Sequence, residues 1–286
     1  MILVPMPDHP YYVWQARVQY RELVRQGRAV TYLVYTRGRR SPSRALKRAL
    51  PESVVEWWHD WRTPEQMTYN PAMKPWLVGK WLDKWPEAHG DAHLILDPDA
   101  IPTEHFEMPR VTEADWAATD TDTYTGTGYL KSKQAWEPLC DALAVDQTPI
   151  RGVGAQVVFS GVDGAFWDDV AQESIRLFHI LDDLPTPPGE GYPVQAWCSE
   201  MYVTPLIAGS RGIEMHADPT MSMVWAGDDA EGWESAGFFH NAGVREENGR
   251  DFCKLSYQRS DPSRDLARIR RIVSPESASW RFVDML

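Results

Sequence analysis

The first hundred residues alternate between extended and helical patterns, and this alternation constrains the fold more than any other feature of the chain. Residues 1–5 read as a strand. Tyr11 to Gln26 carries Val13, Ala16, Val18, Tyr20, Leu23 and Val24 among its apolar positions, as a helix would, and Gly27 follows as a C-cap. Ala29 to Tyr35 is β-branched and aromatic, which marks the next strand. Pro71 to Trp85 reads as a second helix, with Pro71 and Pro75 near its start, where a missing N–H costs little. His93 to Leu96 is a third strand. The order strand, helix, strand, helix, strand implies an α/β fold with a mostly parallel sheet flanked by helices. Ligands of such sheets bind beyond the carboxyl ends of the strands.

The later chain is less regular. Gly152 to Ser160 reads as a strand, Gly161 to Gly164 as a turn and Phe166 to Leu181 as a helix. Leu184 to Tyr192, rich in Pro and Gly, has the composition of a mobile loop. Gln195 to Ala208 is apolar and partly helical, and from Gly209 onward the pattern is irregular. No linker, repeat or low-complexity tract interrupts residues 1–286, so one domain is expected.

The third strand delivers two carboxylates, Asp97 and Asp99, at its carboxyl end. Residues two apart on an extended backbone point to the same side, so the pair can converge where the loop begins. Pro98 between them has no N–H, and the ladder must already be ending there. Two hard oxygen donors suit Mg²⁺ or Mn²⁺, which in turn can hold a diphosphate. The plain alternative is a strand followed by a polar turn, for Asp-Pro is also an ordinary turn starter.

Composition narrows the setting. The chain has 286 residues and is 43% hydrophobic, enough for a substantial core. Three cysteines, Cys140, Cys198 and Cys253, without a Cys-X-X-Cys, argue against a disulfide framework or a zinc site and for a reducing cytosol. The apolar stretch Ile2 to Val4 is too short for a signal peptide or a membrane span, so a soluble cytoplasmic protein without membrane association is expected. The net charge of −12 counts against nucleic acid, but residues 37–48 hold Arg37, Arg39, Arg40, Arg44, Lys47 and Arg48 with no acid. Arg264, Arg268, Arg270 and Arg271 cluster again near the end. Such stripes attract a phosphate backbone locally or are simply solvated faces. Trp57, Trp58 and Trp61 lie just beyond the first stripe.

Several short blocks, in order over most of residues 8–245, resemble a known group. Trp14-Gln15-X-Arg17-X-X-Tyr20, Asn70-Pro71-X-X-Lys74-Pro75, Asp97-Pro98-Asp99, Trp197-X-X-Glu200-Met201-Tyr202 and Phe238-Phe239-His240 are similar to segments of the plant hydroxyproline O-arabinosyltransferases and peptidyl-serine galactosyltransferases. The phage glycosyltransferases that decorate 5-hydroxymethylcytosine in DNA, companions of 5-methylcytosine dioxygenases, look like compact members of the same group. The resemblance implies a Rossmann-like GT-A fold, a UDP-sugar donor and a divalent metal. For a compact chain of phage type it also implies residence in the host cytoplasm.

With that resemblance, Asp97 and Asp99 become the metal and diphosphate pair and His240 the third ligand; neutral imidazole suits Mn²⁺. The alternative for His240 is an ordinary half-buried side chain beside two phenylalanines. Glu200 sits in an apolar stretch where an unpaired carboxylate is costly. It is either catalytic, as a base for the acceptor hydroxyl or as a group that orients the acceptor, or it is held in a salt bridge, with Arg211 a candidate partner. Trp14, Gln15 and Arg17 follow the first strand, where GT-A proteins bind uracil and ribose; Trp14 serves equally well as helix packing. Lys74 is a second phosphate contact or a solvated lysine, and Gln156 a partner for sugar hydroxyls. Thr119 to Thr127 reads as an acceptor-side loop or a solvated connection. The expected acceptor is a hydroxymethylpyrimidine in DNA, reached through the basic stretch 37–48. A peptide serine or hydroxyproline, a small alcohol, and a nucleic-acid-binding module without activity are the alternatives.

Overall fold

The computed structural model describes all residues except 39, 40, 61, 65, 148 and 149. The first elements are β1 (Ile2–Pro7), α1 (Pro10–Arg25), β2 (Val30–Thr36), α2 (Arg44–Ala49) and β3 (Val55–His59). Then come α3 (Met73–Lys84), β4 (His93–Ile95), β5 (Ala100–Pro102) and β6 (Asp115–Asp120). Three short helices, α4 (Asp122–Thr125), α5 (Thr127–Ser132) and α6 (Trp136–Leu143), precede β7 (Val153–Phe159) and the long α7 (Gly164–Asp182). The chain closes with α8 (Ser199–Ser210), β8 (Glu214–Ala217), β9 (Met223–Trp225), β10 (Phe238–His240), α9 (Leu266–Ile272) and α10 (Ser279–Met285). A seven-stranded, mostly parallel sheet flanked by helices makes the fold α/β, and β5, β10 and β9 form a separate three-stranded sheet.

By packing, the chain divides into two compact units. One comprises Met1–Asp60, Ile95–Pro109 and Pro219–Leu286; the other comprises Trp61–Leu94 and Arg110–Asp218.

In the first unit β3, β2 and β1 run parallel in that order, with Met6 opposite Val34 and Tyr35 opposite Trp58. β1 continues through Pro5 and Pro7, beyond the stretch read as a strand from sequence. Successive residues of a parallel strand bond to alternate neighbours. Leu3 accepts from the Leu96 N–H at 2.9 Å, so Pro5 and Pro7 turn to the side where that partner chain has already stopped. Their missing N–H groups therefore break no ladder. α1 buries Val13, Trp14, Ala16, Val18 and Leu23 and ends at Gly27, whose φ of +68° suits glycine. The small sheet packs in a core with Trp14, Trp233, Phe239, Phe252 and Phe282.

Gly237 lets β10 enter that sheet. A Cβ at this position would overlap the Thr220 carbonyl oxygen. Gly237→Ala is expected to cost about 1–3 kcal/mol of stability, the usual range for overpacking. Gly128→Ala, in open space on α5, should be neutral or stabilising by up to about 1 kcal/mol. Thermal unfolding of the two variants checks the contrast.

In the second unit β6 lies between β7, antiparallel, and β8, parallel. The register shifts between Ala118, opposite Val157, and Thr119, opposite Gly154, which leaves Ala155 and Gln156 unpaired in the ladder; Ala155 takes a left-handed φ of +57°. α3 and α8 both pack on α7. The run Thr119 to Thr127, read as a loop, is the end of β6 followed by α4 and the start of α5; Thr119, Thr121, Thr125 and Thr127 are buried. Their hydroxyls bond within the segment or to nearby carbonyls, as between Thr121 and Thr125 at 2.6 Å, so a polar sequence packs inward without penalty. Among the described residues, no helix is long and apolar enough to cross a membrane.

Candidate functional site

The first unit fixes the Asp97–Asp99 turn from three sides. Within the turn, the Ala100 N–H donates to the Asp97 carbonyl at 3.0 Å. From α1, the fully buried Gln19 amide donates to the carbonyls of Asp97 (2.7 Å) and Ala100 (2.6 Å). From the small sheet, β10 pairs antiparallel with β5 so that His240 faces Ala100, and the Asn241 N–H donates to the Asp99 carbonyl at 2.9 Å. A strand ladder, not a flexible loop, therefore brings His240 to the two carboxylates.

One donor atom from each of Asp97, Asp99 and His240 lies within 4.8 Å of the other two. Donor atoms this close together could be shared by one divalent ion, with Asp97 and Asp99 supplying the hard oxygens such ions prefer. Two carboxylate oxygens and an imidazole nitrogen suit Mn²⁺, and Mg²⁺ less selectively. His240 Nε2 lies 3.4 Å from Asp99 Oδ1. Its ring is stacked on Trp225 at 4.9 Å, and its Nδ1 is buried without a hydrogen-bond partner. These residues fit a divalent ion.

Lys254 completes the group, and sequence reasoning missed it. Its ammonium is paired with Asp99 Oδ2, and both side chains are largely out of water. Burial pushes the Asp99 carboxyl up, but Lys254 and then His240 outweigh burial and hold it well below the usual carboxylate range. Tyr11 and Tyr12, at the start of α1, have hydroxyls pushed well up, first by burial and then by the Asp99 charge.

The other first-unit candidates are engaged elsewhere. Trp14 is 3% exposed; its indole N–H donates to the Tyr257 carbonyl at 3.2 Å and its ring meets Phe252 and Phe282 edge-on. Gln15 is buried and donates to the Tyr11 carbonyl at 2.6 Å, while its Oε1 has no partner. Arg17 grips Asp261 with two bonds of 2.7 and 3.0 Å. Of the basic stretch, Arg37 lies 3.9 Å from Asp60, Arg44, Lys47 and Arg48 are exposed on and around α2, and Arg39 and Arg40 fall outside the described residues. Arg268 and Arg270 near the C-terminus pair with Glu247 and Asp284. Trp57 and Trp58 belong to β3, and Trp61 lies outside the described residues.

The second unit places Glu200 in the first turn of α8, almost buried, and its partners are not the expected one. Arg211 pairs with Asp169 instead. The Tyr69 hydroxyl donates to Glu200 Oε2 at 2.5 Å and accepts from the Glu200 N–H at 3.0 Å, while Lys74 Nζ stands 3.5 Å from Oε1. Tyr69 is fully buried and stacked on Phe178, and burial followed by the Glu200 charge pushes its hydroxyl far up. Lys74 also reaches the carbonyl of the left-handed Ala155 at 3.4 Å. Gln156, next to it on β7, is fully buried, and its backbone N–H donates to Thr119 Oγ1 at 3.3 Å. Burial and then Glu200 push the Cys198 thiol up to about 12, which leaves it inert. All three cysteines are buried and unbridged. The loop read as mobile is tethered: buried Lys133 pairs with Glu190, donates to the Tyr192 carbonyl at 3.0 Å and stands 3.7 Å over the Tyr192 ring.

No family model and no curated protein matches the sequence. Among solved structures, the chain is similar to the apo form of the bifunctional glycosyltransferase WbbM, with 12% identity, 85% of this chain and 45% of that chain covered, and a TM-score of 0.47. This chain thus spans less than half of the WbbM chain's length. It is similar to a glycosyltransferase involved in glycosylation of the major capsid of PBCV-1, with 12% identity, 85% and 92% covered, and a TM-score of 0.40. It is also similar to the galactosyltransferase LgtC in complex with donor and acceptor sugar analogues, with 11% identity, 99% of each chain covered and a TM-score of 0.48. These likenesses concern the backbone path, and the chemistry of the site stands on its own residues.

Proposed function

We propose that this chain, read as one GT-A domain over residues 1–286, is a metal-dependent glycosyltransferase that moves a sugar from a UDP-sugar to a hydroxyl group. The observation that carries the reading is the set of donors from Asp97, Asp99 and His240, held within 4.8 Å at the end of a strand with the cationic Lys254 beside them. When bound there, a divalent ion supplies positive charge where the leaving diphosphate becomes more negative. The protein's part is to hold Asp99 ionised, to aim His240 through the β5–β10 ladder, and to offer the Lys254 ammonium to an oxyanion. Glu200 is assigned to the acceptor. Tyr69 and Lys74 orient its carboxylate, which takes the hydroxyl proton in an inverting transfer or positions the acceptor in a retaining one.

For the acceptor, the reading is the hydroxymethyl group of 5-hydroxymethylcytosine in DNA. Its support is the exposed cationic surface of Arg44, Lys47 and Arg48, none of which is ion-paired among the described residues, together with the resemblance to the phage enzymes. The test is a transfer assay with Mn²⁺, a panel of UDP-sugars and duplex DNA carrying either cytosine or 5-hydroxymethylcytosine, read by nucleoside mass spectrometry. A hexose or pentose mass gain on the hydroxymethylated duplex only, lost in EDTA, is the expected result. UDP-sugar hydrolysis without DNA modification would move the acceptor to peptides or small alcohols. DNA binding with neither hydrolysis nor transfer would leave a binding module.

A further inference from the structure

We propose that Lys254 is a resident counter-ion of the metal site: its ammonium holds Asp99 in the metal-free protein, must leave Asp99 when a divalent ion binds, and so sets how tightly the site loads. The inference rests on the metal reading of Asp97, Asp99 and His240 and adds a residue that opposes it.

The geometry makes the two cations competitors. Asp99 has two oxygens; Lys254 Nζ holds Oδ2, and Oδ1 faces His240 Nε2 at 3.4 Å. The Asp99 and Lys254 side chains are only 14% and 15% exposed, so water screens little of the charge between them. An ion bound to Asp99, Asp97 and His240 would stand a few ångströms from the ammonium, where like charges repel strongly in a sheltered site. In the metal-free protein, in turn, the sheltered Asp99 carboxylate needs a positive partner, because an unpaired one is costly.

The backbone around Lys254 is fixed while its side chain is long. Lys254 opens a short 3₁₀ turn (Lys254–Tyr257) between the buried Cys253 and the buried Tyr257, and Phe252 just before it lies in the core of the first unit. Release of Asp99 therefore requires rotation of a flexible four-carbon stem and no change in the main chain. The displaced ammonium then becomes available to an anion, so loading by a cation and by a phosphate-bearing ligand should favour each other through this one side chain.

The test is a Mn²⁺ titration of the full chain by isothermal calorimetry, paired with thermal unfolding with and without Mn²⁺, for wild type, Lys254→Met, Lys254→Gln and Lys254→Arg. Lys254→Met and Lys254→Gln should bind Mn²⁺ at least about tenfold more tightly than wild type. They should melt at a lower temperature without metal and gain more from Mn²⁺. Lys254→Arg should behave as wild type, and Asp99→Asn combined with Lys254→Met should lose the gain. Equal or weaker Mn²⁺ binding by both neutral variants would overturn the counter-ion role while leaving the metal site in place. Absence of Mn²⁺ binding in wild type and in every variant would overturn the metal reading and this role together.

Discussion

Asp99→Asn should lower sugar transfer at least about a thousandfold, the loss of about 4 kcal/mol of transition-state stabilisation. The carboxylate meets two other members of the group: one oxygen faces His240 and the other holds Lys254. A neutral amide keeps the shape but supplies a much weaker donor to the metal, and it leaves the Lys254 ammonium without its counter-charge. A stability loss of about 3 kcal/mol accompanies the change, at the low end for breaking a sheltered ion pair. Initial rates with saturating Mn²⁺, measured well below the variant's melting temperature, separate the two effects. A rate within tenfold of wild type for a folded Asp99→Asn protein would remove this residue from the chemistry.

The second large effect concerns Glu200. Glu200→Gln should reduce kcat by about 10²–10⁴-fold, the span of general acid–base catalysis, with little change in the KM for the UDP-sugar. Tyr69→Phe keeps the carboxylate but deletes the hydroxyl that donates to it at 2.5 Å and accepts from its N–H at 3.0 Å. A loss of about tenfold in kcat is expected there, as one well-placed hydrogen bond is worth about 1.5 kcal/mol when an ionised group is involved. The split between kcat and stability distinguishes roles: a catalytic Glu200 loses kcat in Glu200→Gln while the unfolding temperature changes little. A loss of kcat below threefold, with a lowered unfolding temperature, would leave Glu200 as the structural partner of Tyr69 and Lys74.

The parallel sheet was legible because strands buried on both faces read as continuous apolar runs, as β1, β2 and β4 do. The strands missed are of another kind. β3 carries Glu56 and two tryptophans in a half-buried position, β6 is largely alanine and threonine, and β8 exposes Glu214 and His216 to varying degrees. None has the composition of a core strand; each is defined by its neighbour. In the site, Asp97 and Asp99 were visible because their spacing is local. His240 entered through the resemblance, and only the β5–β10 ladder gives a physical reason for it. Lys254 and Gln19 carried no signal, since what matters about each is a partner 155 or 78 residues away. Tyr69 is the one miss with a clue: it directly precedes the Asn70-Pro71 block, although its partner lies 131 residues on.

The three donor atoms come entirely from Ile95–Pro109 and Pro219–Leu286, whereas Trp61–Leu94 and Arg110–Asp218 contribute none. The cross-strand pairing of Ala100 with His240, not the length of chain between residues 109 and 219, sets where the His240 donor stands. Within Ala100–Pro102 or Phe238–His240 a single inserted residue would turn the side chains beyond it to the opposite face of the sheet. The geometry of the three side chains is thus set by a short pairing of two strands and not by the chain that separates them.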